Sequence, residues 1–135
     1  MPVLPQDFTP LQRSINDGLV HLFTNMECWG GQLRAQFTGP EIAVGAQGHH
    51  ASGKYIPVYP IGHSLQQLLH QYATATPGGI GSLTIDVNVR QAIFVYRHLS
   101  LAERARAEAA VQAAQARQAH AYHQQLRRQL STELY

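Results

Sequence analysis

Apolar positions near the start of the chain recur at helical spacing: Leu11, Ile15, Leu19, Leu22, Phe23 and Met26. Thr9-Pro10-Leu11-Gln12 precedes the stripe with a cap hydroxyl, a proline at the first helical position and a glutamine at the third, so orphan amides are satisfied from both sides. The pattern predicts a helix from about Pro10 to about Asn25. Ser64-Leu65-Gln66-Gln67 repeats the capping box and leads into Leu65, Leu68, Leu69 and Tyr72, a shorter helix ending before Pro77-Gly78-Gly79. Ser100-Leu101-Ala102-Glu103 is a third such start and opens the terminal segment.

Between the helical stretches the period changes to two. Ser82–Val89 alternates strictly and puts Leu83, Ile85, Val87 and Val89 on one face, leaving the other face wet. Ala92–Tyr96 follows a short polar link around Arg90-Gln91, a spacing that predicts an antiparallel hairpin. Upstream, Gln32–Phe37 alternates, Gly39-Pro40 turns the chain, and Glu41–Ala46 returns. Tyr55–Val58 reads as a further strand, which needs a sheet edge because Pro57 has no ladder donor. The order α-β-β-(β)-α-β-β-α contains no βαβ crossover. It predicts an α+β fold, an antiparallel sheet of four to five strands with helices on one face.

From Ser100 to Tyr135 the sequence reads as one long Ala/Gln/Arg helix with few residues large enough to fill a core. A helix of about 30 residues spans about 45 Å, against about 30 Å for a body of ~100 residues. The organisation expected is a core over residues 1–99 with a helix over 100–135 packed on it and extending from it, a single domain overall. Leu101, Ala105, Ala109, Ala113, Ala116, Ala119, Tyr122, Leu126, Leu130 and Leu134 form a narrow stripe, small in its middle and bulky near its end. One reading is a high-propensity helix lying across the sheet with alanine where space is tight. The other is a partner-contact surface made by Tyr122, Leu126 and Leu130 with Arg117, Arg127 and Arg128.

Composition narrows the function classes. The chain has 135 residues, a hydrophobic share of 44%, only 13% charged residues and a net charge of +2, so polarity comes from Gln, His, Ser and Thr. A lone Cys28 excludes an internal disulfide framework and suits a reducing compartment. The first residues have neither a basic region nor an apolar run, and no later stretch approaches a membrane span. The reading is a soluble cytoplasmic protein with no membrane partner. Basic residues are nine arginines and Lys54 alone. In the terminal helix five arginines face Glu103, Glu108 and Glu133, too weak an excess to carry nucleic-acid binding.

No catalytic constellation emerges, and the expectation is a chain that is not an enzyme and needs no cofactor. The eight histidines scatter over His21, His49, His50, His63, His70, His98, His120 and His123. His120 and His123 share a helical face, but a metal site requires further ligands; no metal is expected. His49 and His50 are read as part of an exposed Gly-rich loop, and the 47–54 segment with Lys54 is a second candidate contact. Glu27-Cys28-Trp29-Gly30 matches no reactive-cysteine motif. Gly78-Gly79-Ile80-Gly81-Ser82 precedes a strand, whereas phosphate loops follow a strand and open a helix.

The helix-one stripe, Trp29-Gly30-Gly31 leading into Gln32–Phe37, the Leu-rich second helix and the closing hairpin Ser82–Arg97 resemble, in order and size over residues 10–98, the layout of small cytoplasmic immunity proteins that accompany bacterial polymorphic and secreted toxins. That resemblance implies a non-catalytic protein that binds a cognate toxin domain and blocks its active site or substrate entrance. The alternatives are a homodimeric structural or regulatory protein assembled through the terminal helix, and a metal- or ligand-binding domain.

Overall fold

The structure is a computed structural model that describes residues 8–133, with side chains over 10–130. The expected Thr9 cap hydroxyl and Leu134 lie outside what it describes. The chain falls into two compact units, one ending at Ala102 and one starting at Glu103. The elements are α1 (Phe8–Asn25), β1 (Cys28–Thr38), β2 (Glu41–His50), β3 (Tyr55–Pro57), α2 (His63–Ala75), β4 (Ile80–Asn88), β5 (Ile93–Ser100) and α3 (Leu101–Glu133). This is the α+β order predicted, with the third upstream strand present.

The strands make one five-stranded sheet in the order β3-β2-β1-β4-β5, antiparallel throughout. Pro57 sits at the edge that its missing donor requires. Strand alternation decides which face is core. Leu33, Ala35 and Phe37 of β1 and Leu83, Ile85 and Val87 of β4 are all buried, and Leu33 stands opposite Ile85 while Ala35 stands opposite Leu83. Ile15, Leu19 and Phe23 of α1 and Leu65, Leu69 and Tyr72 of α2 join them in one cluster. Both helices therefore cover the same side of the sheet. No element within residues 8–102 covers the other.

Two contacts pin this arrangement. At Gly31 an added Cβ would lie 2.0 Å from the Gln47 carbonyl oxygen and 2.8 Å from Phe23 Cε1, so only glycine lets α1 and β2 approach β1 this closely. On the far side the Tyr96 hydroxyl donates to Asn16 Oδ1 at 2.6 Å, joining β5 to α1. Burial, with Tyr72 adding to it, pushes the Tyr96 phenol well above its usual range.

Several local expectations are corrected. Helix α2 begins at His63 with Gly62 at the cap position and no side-chain cap bond. Ser64 is already inside the first turn, and Gln66 Nε2 donates to the Ile61 carbonyl instead. The loop expected over 47–54 is strand as far as His50, because the ladder with β1 runs on until Cys28 meets His50; the turn is confined to 51–53. Val89 lies one residue past the end of β4, yet it keeps the expected face: it packs against the core cluster, and its N–H donates to the Trp29 carbonyl. The β4–β5 turn closes without glycine: Asn88 Oδ1 accepts from the Gln91 N–H at 3.0 Å, and Ala92 takes φ of 53°.

Helix α3 is an uninterrupted 33-residue helix. Through Leu130 none of its residues is buried; Arg104, Ala114 and Leu126 are half-buried and the rest exposed. Arg104 Nε donates to Glu108 at 2.9 Å, one turn along. Among the described residues no helix is long and apolar enough to cross a membrane.

Two outcomes are expected in urea denaturation. Gly31→Ala destabilises the protein by about 3 kcal/mol or more, since backbone rather than a side-chain tip must move. Tyr96→Phe costs about 1 kcal/mol at neutral pH. Because the Tyr96 pKa is raised on folding, its contribution is complete below the unfolded value of about 10 and is lost as pH rises above it. The urea midpoint of the wild type should therefore fall more steeply between about pH 9.5 and 11 than that of Tyr96→Phe.

Candidate binding face

Strand pairing brings residues far apart in sequence into rows across the sheet face opposite α1 and α2. At one end of the sheet lies an aromatic row. Trp29 of β1 stacks on His49 of β2 with ring centroids 4.8 Å apart and an interplanar angle of 15°. His49 meets Tyr55 of β3 at 4.6 Å, tilted by 48°. Arg90 from the β4–β5 turn places its guanidinium carbon 5.3 Å from the Trp29 ring centre, closing the row with a cation–π contact. The stacking direction runs across the strands, so the rings stand upright and present edges outward.

A β-bulge creates this row. On β1 the odd-numbered residues from Gly31 onward face the helices, and unbroken alternation would send Trp29 into the core. The β1–β2 register slips between Cys28, opposite His50, and Gly30, opposite His49. The extra residue reverses the phase. Cys28 is buried in the core cluster, and Trp29 emerges on the open face beside His49.

The next row is polar. Arg34 Nε donates to Gln32 Oε1 at 2.7 Å, Gln32 Nε2 donates to Asp86 Oδ1 at 2.8 Å, and Arg97 Nη2 pairs with Asp86 Oδ2 at 2.6 Å. Each bond orients the next, so these four side chains form one bonded chain across three strands. Three arginines and one carboxylate make the combined rows electropositive. Between them and the β3 edge the strand β2 carries Ala43 and Gly45, and nothing lies within 4 Å of where a Gly45 Cβ would be. The result is a trough of 340 Å³ lined by Gln32, Arg34, Gly45, Gln47, Tyr55 and Pro57. A depression of 470 Å³ continues the surface over β4 and β5, and one of 220 Å³ lies in front of the Trp29–His49–Tyr55 row.

The residues singled out from sequence divide. His49 belongs to the aromatic row. His50, on the opposite side of the same strand, lies 3.4 Å from Glu27 through Nε2 and bonds Ser52 through Nδ1. Lys54 is exposed, its carbonyl accepting from the His50 N–H at 2.8 Å. Arg117, Tyr122, Leu126, Arg127, Arg128 and Leu130 all lie on α3, where Tyr122 is 60% and Leu130 58% exposed and Tyr122 meets His123 edge-on at 6.1 Å. Trp29, Tyr55, Arg90, Gln32, Arg34, Asp86 and Arg97 were not among the candidates. The polar alternation of Gln32, Arg34 and Gln36 was the available signal for part of this set. For Trp29 the bulge inverted the signal.

Candidate chemistry elsewhere is sparse. Among the described residues no three His, Cys, Asp or Glu side chains gather as a metal site would need. Burial pushes the Cys28 thiol up, away from the thiolate a nucleophile requires. No protein-family model matches the chain, and no curated protein matches it in sequence.

Trp29 is the only tryptophan, so its emission reports this face alone. His49→Ala uncovers one side of the indole: the emission maximum should move to the red, with stability lowered by no more than about 1.5 kcal/mol.

Proposed function

We propose that this chain is a non-catalytic binding protein that holds a protein partner on the open face of its sheet, and that it serves to neutralise a toxin by occluding the toxin's active site or substrate entrance. The observation that carries the binding role is the preformed Arg90–Trp29–His49–Tyr55 row beside a trough, on a sheet face that no element within residues 8–102 covers. Trp, Tyr and Arg are the side chains that dominate binding energy in interfaces. Here mutual stacking already restricts their rotamers, so less entropy is lost on docking. The excess of arginine fits an acidic patch on the partner.

The geometry favours a protein over single-stranded nucleic acid. Base stacking needs free ring faces, and both faces of Trp29 are taken, by Arg90 and by His49. The neutralising role rests on the layout resemblance. A second reading places the contact on α3, through Tyr122, Leu126 and Leu130 with Arg117, Arg127 and Arg128, or pairs two copies through that helix. Its support is the exposure of Val111, Tyr122 and Leu130 on a helix without buried residues.

Capture of stable partners from the native host, identified by mass spectrometry, should yield a toxin domain whose activity this chain abolishes. Trp29→Ala and Tyr55→Ala should each weaken that complex at least about tenfold. Gly45→Leu should do the same by filling the trough, while leaving the urea midpoint unchanged or higher. Deleting residues 112–135 should leave affinity within about twofold. Absence of any stable protein partner overturns the reading, and loss of binding on the deletion alone transfers the contact to α3.

A further inference from the structure

The two edges of the sheet are not alike. Strand β3 is three residues long and carries Pro57, which blunts that edge. Strand β5 is eight residues long with no proline, and among the described residues no other strand pairs with its outer side. Its open-face side chains Ile93, Val95 and Leu99 are 49%, 46% and 41% exposed.

The hydrogen-bond phase of that edge follows from two bonds on the other side of the sheet. Val58 N–H donates to the Ala46 carbonyl and His50 N–H to the Lys54 carbonyl, so the even residues of β2 bond β3 and the odd ones bond β1. Carried through the registers of β1 with β2 and β4, and of β4 with β5, the alternation makes Asn88–Ile93, Asp86–Val95 and Thr84–Arg97 mutually bonded pairs. The Val89 to Trp29 bond gives the same phase independently. The main-chain groups of Phe94, Tyr96 and His98 therefore point outward, and among the described residues none of them has a backbone partner.

We infer that β5 pairs antiparallel with β5 of a second copy of this chain, on a twofold axis at Tyr96. This register alone bonds all three outward residues: Tyr96 to its symmetry mate, and Phe94 to His98 in both directions, six hydrogen bonds in all. On the open face it sets Ile93 against Leu99 of the other copy twice, covering exposed apolar surface. It sets Arg97 against Val95 rather than against a second Arg97, and that guanidinium is already neutralised by its own Asp86. The edge is self-complementary in hydrogen bonds, apolar contacts and charge, which is what a twofold interface demands. The two sheets then form one continuous sheet with both open faces on the same side.

Sedimentation of the full chain should give twice 14.9 kDa. Val95→Lys places a cation opposite Arg97 at both ends of the pairing and should return the mass to 14.9 kDa with an unchanged circular dichroism spectrum. The pair Ile93→Cys with Leu99→Cys should form a disulfide-linked dimer on mild oxidation. In the inferred register these positions face each other at about 4.5 Å between Cα atoms, whereas within one chain about 20 Å of strand separates them. A wild type of 14.9 kDa at about 100 µM, a dimer that survives Val95→Lys, or a dimer lost on deletion of residues 112–135 overturns the inference. Should Val95→Lys fail to fold, the cysteine pair decides: cross-linking sustains β5 pairing and its absence overturns it.

Discussion

At Gly31 the backbone of β1 lies so near the β2 carbonyl of Gln47 and the ring of Phe23 that a methyl group has no room. This close approach, made at one residue, ties the last turns of α1 to the central strand and draws β2 in beside it. Once Phe23 is seated there, Leu19 and Ile15 follow along the same helical face onto the sheet, and all three are fully buried. Gly18 then faces Leu65, whose Cδ1 would lie 3.2 Å from a Cβ added there, and the two helices settle as one layer. Core and open face are consequences of that single seat.

The open face is defined by what the core leaves behind. Period-two alternation sends Leu33, Ala35, Phe37, Leu83, Ile85 and Val87 inward, so Gln32, Arg34, Gln36, Thr84 and Asp86 must point outward. Most of these make a solvated polar surface of ordinary kind. The bulge adds a tryptophan, and His49, Tyr55 and Arg90 then order around it. Exposed ion pairs such as Arg97 with Asp86 contribute little to stability; their effect here is to fix the positions of long side chains that would otherwise sample many rotamers.

Much of the fold was legible from local signals. The β4 alternation, the stripe on α1 and the proline in β3 each matched a physical requirement that tertiary packing did not overrule. Ser64 misled because a capping box is a local preference, and the packing of α2 began the helix earlier, at His63. The loop reading of His49 and His50 followed from the glycines around them, yet Gly48 is a strand glycine whose added Cβ would meet Cys28 Sγ at 2.8 Å. That glycine serves close packing rather than a turn. The candidate face was harder to read because it depends on register: Trp29, His49, Tyr55 and Arg90 are brought together by three strand pairings and one extra residue, none of which has a composition of its own.

Because β2 has no side chain at Gly45, the trough there is floored by main chain, which is the same for every sequence that folds this way. Its shape is set from the rim, by side chains that take no part in the core. Substitutions at alternate positions can therefore rewrite what the surface accepts while the intervening positions keep the fold. A face built in this manner can change its surface chemistry one residue at a time, with each intermediate remaining folded.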